Sequence, residues 1–238
     1  MVTKLIQEQL HYSSTGKDRL PKIFSGDDIK AIFLTIRDSQ DYLKTIWGDW
    51  MKTRDSTVIS LMLAMGLRPR EACWLRFDDF DLNNMTLRIR AENNKVKKER
   101  VVPIPDTVIP FITAYLSFNR SRFWRGSPWM FPSLENERMS VETIKGRFRK
   151  TLKQAGLWKI DYIDKAGRPR PSLHLYSCRH TALTRLFNAS GGDLYMTANQ
   201  AGHASVTSTL KYLHLDDGYR EKQRKTLNKM FEYVECRK

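Results

Sequence analysis

Residues 173–214 read LHLYSCRHTALTRLFNASGGDLYMTANQAGHASVTSTLKYLH. Local signals divide this stretch into three helices. The first starts near Tyr176 and runs to about Asn188, where Ser190-Gly191-Gly192 breaks it. Asp193 caps a short second helix to about Ala201, and Ser205–Leu213 makes the third. Gly202-His203 opens the polar turn between them, and Tyr212 follows His203 by nine residues. Arg179, His180, His203 and Tyr212 are thereby held within one compact helical unit. A hydroxyl nucleophile, a histidine and an arginine kept close together suit phosphoryl transfer, in which the hydroxyl attacks and the cations hold the developing negative charge.

Upstream, the chain supplies further charge. Ser25-Gly-Asp-Asp28 is a helix start, followed by Ile29, Ile32, Phe33 and Ile36 at helical spacing. The nearly all-apolar run through Ser56–Met65 predicts a core helix. Gly66 suits its C-terminal cap and Pro69 the first turn of the next helix, through about Leu75. Arg68 therefore falls at a helix–helix junction, where free N–H groups also point and a phosphate is readily held. Met85–Ala91 alternates apolar and polar residues as a half-buried strand. Asn93-Asn94 marks a turn, and Glu99–Ile104 returns as the paired strand. The hairpin turn carries Lys95, Lys97 and Lys98, a basic tip suited to a DNA groove.

Asp106–Asn119 reads as an amphipathic helix and residues 120–139 as a loop, with Arg120, Arg122 and Arg125 beside Trp124, Trp129 and Phe131. Trp129 and Phe131 are expected in the core, with some of the arginines on phosphates. Ser140–Ala155 is a helix with a basic face of Lys145, Arg147, Arg149, Lys150 and Lys153, placed to lie along a DNA backbone; Gly156 ends it. Residues 158–172 read as a loop. The fold expected is mainly α with a small antiparallel β-sheet. It divides into a flexible tail at 1–21, which includes a short helix at Leu5–Leu10, a main domain at 22–215 and a C-terminal helical segment at 216–238.

The formal charge is +15, from 41 Lys and Arg against 26 Asp and Glu. An excess spread through a folded chain points to a polyanion, and first to nucleic acid. Cys73, Cys178 and Cys236 are scattered and none forms a CxxC pair, which argues against a disulfide framework or a cysteine zinc site and for a reducing cytoplasm. No apolar run approaches the ~18 residues that span a bilayer. No carboxylate cluster of the two-metal type is present: Asp78, Asp79 and Asp81 read as a turn and helix end.

Four blocks carry a resemblance: GLRPREACWLRFDDFD at 66–81, KVKKERVVPI at 95–104, CRHTALTRL at 178–186 and AGHASVTSTLKYLH at 201–214. In this order they resemble the catalytic domain of the tyrosine recombinases, the phage integrase and Xer-type family, over roughly residues 22–215. The resemblance implies that Arg68 and Arg179 are the two catalytic arginines, Lys95 the hairpin lysine (with Lys97 or Lys98 as alternatives of register), His203 the residue before the last helix and Tyr212 the nucleophile. Tyr176 stands where the family usually has histidine, with His174 two residues upstream. About 21 residues precede the domain, as in small members resembling the fimbrial switch invertases, which lack the N-terminal clamping domain.

The chemistry implied is transesterification. Tyr212 attacks a DNA phosphodiester, forms a 3′-phosphotyrosyl link and releases a 5′-hydroxyl; a second strand's 5′-hydroxyl then reverses the step. The bond energy is conserved, so no ATP or other cofactor is implied. Arg68 and Arg179 clamp the non-bridging oxygens, Lys95 protonates the leaving oxygen, and Tyr176 can donate a hydrogen bond to phosphate. The partners expected are double-stranded DNA, sister subunits in a tetramer joined through the C-terminal segment, and accessory DNA-bending proteins. The implied location is the cytoplasm, at the nucleoid, in a prokaryote, phage or mobile element. A catalytically weak DNA-binding accessory protein and a monomeric type IB topoisomerase stand as alternatives.

Overall fold

A computed structural model of the chain describes residues 21–203, apart from Leu43, Lys95, Asn119, Asn136 and Lys165, together with Thr209. Lys95, Tyr212, the Leu5–Leu10 helix, the Ser205–Leu213 helix and the Asp216–Val234 segment all lie outside the described residues.

Helix α1 (Gly26–Asp38) begins as its sequence predicts. Ser25 Oγ accepts from the Asp28 N–H at 3.1 Å, and the Asp28 carboxylate accepts from the Ser25 N–H at 2.8 Å. Ile32 and Ile36 are buried.

Helix α2 (Ile46–Met65) is the axis of the molecule and starts ten residues before the expected Ser56. The early part escapes a hydropathy reading because it carries a buried ion pair, Arg54–Asp55, within an apolar surround. Asp55 also accepts from Tyr42 at 3.0 Å and from Arg147 at 2.8 Å. Burial first, and then the Asp55 charge, push the Tyr42 phenol well above its usual value. Arg147, expected on the DNA-facing side of its helix, is instead turned inward to Asp55 and Met51. One buried carboxylate facing two guanidiniums takes up the arginine that helical spacing assigned to the outer face.

Gly66 ends α2 with φ +68, and a Cβ there would lie 3.1 Å from Leu183. Both the left-handed backbone and the close approach of a later helix require glycine. The short helix α3 (Pro69–Cys73) follows at once.

Strands β1 (Phe80–Asp81), β2 (Thr86–Ile89) and β3 (Arg100–Pro103) form an antiparallel sheet in chain order, with Leu87 opposite Val102 and Ile89 opposite Arg100. They are shorter than the alternation predicts, because Met85 adopts φ +53 and Ala91 opens a 3-10 turn. Asp79 accepts from the Arg76 N–H at 2.8 Å and from Arg90 at 2.6 Å, so the acidic knot pins the turn into the sheet.

After a 3-10 turn at Asp106–Val108 come α4 (Ile109–Leu116) and α5 (Arg120–Phe123). The latter lies in a stretch that reads as loop; Phe123 and Trp124 are buried against Trp47, Trp50 and Tyr115, and that aromatic cluster draws the turn closed. Phe131 is fully buried as expected, and Trp129 is half-buried. Helix α6 (Val141–Gln154) is capped by Ser140, and Gly156 follows it with φ +71.

The segment expected as loop contains a hairpin, β4 (Ile160–Ile163) and β5 (Pro169–Pro171). A two-stranded ladder has only edges, so its prolines cost few hydrogen bonds. The backbone N–H of Arg168, foremost, and the Arg170 side chain hold the Asp164 carboxyl at about 2. Helices α7 (Leu175–Ala189) and α8 (Leu194–Ala201) complete the described fold, and Asp193 caps α8 by accepting from the Met196 N–H at 2.8 Å. Helix α2 packs against α4 and α7, and α7 against α8. That stacking brings the end of α2 beside the end of α8.

Candidate active site

Three chain segments converge where α2 ends, α3 begins and α8 ends. Arg68 precedes the first turn of α3. Its backbone N–H donates to Glu71 Oε2 at 2.9 Å, its Nη1 to Glu71 Oε1 at 2.8 Å, and its Nη2 to the Gly202 carbonyl at 3.3 Å. The cap N–H at this helix start is therefore taken by the chain's own carboxylate.

Glu71 is fully buried and is the hub of the group. Arg100 reaches it from β3 with two parallel hydrogen bonds, at 3.0 and 2.9 Å. Burial by itself would raise the Glu71 pKa. The hydrogen bonds and charge of Arg100, and then of Arg68, overcome it and hold the carboxyl below its usual value.

Arg179 comes from the second turn of α7 and is buried. It donates to the Gly66 carbonyl and to the Ala201 carbonyl, both at 2.7 Å, which bolts the ends of α2 and α8 to α7. Its Nη1 is 4.0 Å from Glu71 Oε2, and its Nη2 is 3.3 Å from His203 Nε2. His203 Nδ1 is 2.8 Å from Thr209 Oγ1, which fixes the ring. Three guanidiniums thus share one carboxylate, and the cluster carries a net positive charge that suits an anion.

Gly202 closes the group. With φ +59 it terminates α8, and a Cβ there would lie 2.6 Å from Arg100 Nη1. An open cleft of about 560 Å³ runs beside it, lined among others by Lys98, Arg100, Tyr195, Asn199 and His203. The lysine loop and His203 face the same cleft. Lys97, exposed, adopts φ +52 in that loop.

The structure therefore brings together Arg68, Arg179 and His203, with Lys98 on the adjoining cleft. Tyr176 lies in the first turn of α7, 50% exposed, its ring edge-on to His174 with centroids 6.4 Å apart. His174 precedes α7, its backbone N–H donating to Ser177 Oγ, and it lines a separate cleft of about 350 Å³ with His180 and the β4–β5 hairpin. Lys145 is exposed and paired with Glu142 at 3.1 Å; Arg149 is exposed on the same helix.

Glu71 and Arg100 are not among the candidates that the sequence offers, and Asn94 is read there only as part of a turn. Glu71 stands three residues after Arg68, the spacing of a reciprocal cap. Arg100 shares the inward face of β3 with Val102, and a charge on such a face is itself a signal. Asn94 staples the lysine loop: its side chain donates to the Arg90 and Lys98 carbonyls, both at 2.9 Å, and accepts from the Lys98 N–H.

Among the described residues, no helix is long and apolar enough to cross a membrane. The sequence model described as the phage integrase family matches residues 25–218. The tyrosine recombinase XerC of Caldanaerobacter subterraneus subsp. tengcongensis is 30% identical over 186 residues, covering 78% of this chain and 48% of the relative. The tyrosine recombinase XerD of Pseudomonas putida is 28% identical over 209 residues, covering 87% of this chain and 61% of the relative. The chain thus spans about half to three-fifths of the length of these curated relatives. Among solved structures, the XerH site-specific recombinase bound to palindromic difH substrate in a post-cleavage complex superposes with a TM-score of 0.68, at 19% identity, over 89% of this chain and 54% of that one. The XerA recombinase gives 0.64 at 24% identity, over 92% and 66%. These likenesses establish the fold as that of tyrosine recombinase catalytic domains, mainly helical with small antiparallel sheets.

Proposed function

Because the chain belongs to the phage integrase family, we propose that it cuts and rejoins double-stranded DNA at a specific site through a 3′-phosphotyrosyl intermediate. The observation that carries this reading is the convergence of Arg68, Arg179 and His203 around the buried Glu71. A phosphoryl group passing through its transition state gathers charge on non-bridging oxygens, and prepositioned guanidiniums meet that charge without reorganising. Loss of either arginine is expected to cost about 2.7–4 kcal/mol of barrier, the range seen for a lost oxyanion donor.

Tyr212 is the nucleophile in this reading. Its Oη bonds to phosphorus as the bond from phosphorus to the 5′-oxygen breaks, and Lys95, or Lys97 or Lys98 from the same loop, supplies the proton to that oxygen. Tyr176 donates a hydrogen bond to phosphate. Lys145 and Arg149 contact the DNA backbone, while Arg147 serves the Asp55 network. The 216–238 segment docks on a neighbouring subunit of a synaptic tetramer, accessory DNA-bending proteins take part, and the setting is the cytoplasm of a prokaryote or its mobile elements.

The test is a nicked suicide substrate carrying the target site. Wild type is expected to form a covalent protein–DNA adduct and Tyr212→Phe to form none. Tight binding without an adduct overturns the enzymatic reading, and an adduct in Tyr212→Phe overturns the nucleophile. Strand exchange between two duplexes, against relaxation alone, separates a recombinase from a topoisomerase.

A further inference from the structure

Beside the Glu71 group lies a ladder of arginines and tryptophans drawn from three segments. The Arg70 guanidinium is 4.0 Å from the Trp74 ring centroid, and that of Arg138 is 3.7 Å from the same centroid. Arg138 is also 5.8 Å from the Trp129 centroid, and Arg76 is 4.8 Å from it. The order is cation, ring, cation, ring, cation. Both rings are half-buried, whereas Arg70 and Arg138 are exposed.

Two guanidiniums so near one centroid occupy its two faces. Trp74 is therefore closed to a stacking base, and the free groups of the ladder are the N–H edges of its arginines. Glu92 takes part of this capacity: its carboxylate accepts from Arg76 at 3.3 Å and its carbonyl from Arg70 at 3.4 Å. Among the described residues no carboxylate lies within ion-pair distance of Arg138. Stacking holds its long side chain in place at low further entropy cost, and leaves a planar donor fork facing solvent. That arrangement matches the geometry of a phosphodiester oxygen pair.

The ladder also has a place. The Asn93 side chain donates to the Trp74 carbonyl at 3.1 Å, joining it to the loop that carries Lys97 and Lys98. Arg138 forms a β-bridge with Pro132 two residues before the Ser140 cap of α6, the helix of Lys145 and Arg149.

We propose that the Arg70–Trp74–Arg138 ladder grips the phosphate backbone of duplex DNA flanking the cleaved phosphodiester, with Arg138 as its main contact. This rests on the DNA reading above and is tested apart from it. The measurement is equilibrium binding of the full chain to a 30-base-pair duplex as a function of salt, with thermal melting as the control for folding. Arg138→Gln is expected to bind several-fold more weakly and to lower the slope of log K against log salt by roughly 0.9, one phosphate contact. Arg138→Lys should recover most of the slope but not all of the affinity, and Arg70→Gln should act in the same direction as Arg138→Gln. Arg147→Gln should leave the slope unchanged. Wild-type slope and affinity in both Arg138→Gln and Arg70→Gln overturn the ladder while leaving the DNA reading intact. A wild-type chain that binds no duplex overturns both.

Discussion

Glu71 and Arg100 meet through two parallel hydrogen bonds of 3.0 and 2.9 Å, joining the helix that follows Arg68 to the strand that follows the lysine loop. Glu71→Gln removes the carboxylate that Arg68 and Arg100 share and leaves their guanidiniums, with that of buried Arg179, facing one another. Breaking a buried pair from one side costs about 3–5 kcal/mol. Urea unfolding should show that loss, and adduct formation on a suicide substrate should fall with it.

The same carboxylate sets an acid limit. Its pKa is held below the unfolded value, so its contribution is fully present above about 4.3 and fades as pH falls through the folded pKa. The stability gap between wild type and Glu71→Gln should therefore be constant from pH 7 to 5 and shrink on further acidification. A gap that widens in acid contradicts the assignment. The readout is urea midpoints across that pH range.

Gly202 and Gly156 form a controlled pair. Both have positive φ, but a Cβ at 202 would lie 2.6 Å from Arg100, whereas one at 156 meets nothing within 4 Å. Gly156→Ala should cost only the left-handed backbone term of about 1–2 kcal/mol and leave the cleavage rate unchanged. Gly202→Ala should cost more and slow cleavage by displacing Arg100. Equal effects in melting and in single-turnover cleavage would remove Arg100 from the account.

Asp55 serves three partners at once, Arg54, Tyr42 and Arg147. Asp55→Asn should destabilise by about 3–5 kcal/mol, since two guanidiniums lose their counter-charge. Arg147→Met should destabilise in the same direction. Thermal melting checks both.

Much of the plan was legible in advance, for identifiable reasons. Ser25, Gly66, Ser140 and Asp193 mark helix ends through backbone chemistry that acts locally, and the structure has those ends. The aromatic turn at Arg120–Phe123 and the hairpin at Ile160–Pro171 were not legible, because distant packing and pairing create them. In the candidate site, Arg68, Arg179 and His203 came from motif blocks and do converge. Glu71 and Arg100 escaped because each means little until the other is beside it. Arg147 was misplaced for the same reason: its partner is ninety-two residues away, and helical spacing alone sees only the exposed face.

Gly66 serves two functions at one position. Its carbonyl receives Arg179, and its missing side chain admits Leu183 of the same helix α7. The anchor of Arg179 is therefore also part of the seam between two packed helices. Arg179 is thus held by the same α2–α7 contact that packs Leu183 against Gly66. Amide protons near residues 66 and 183 should then exchange at the rate of global opening, and heat should erode activity and structure as one cooperative event.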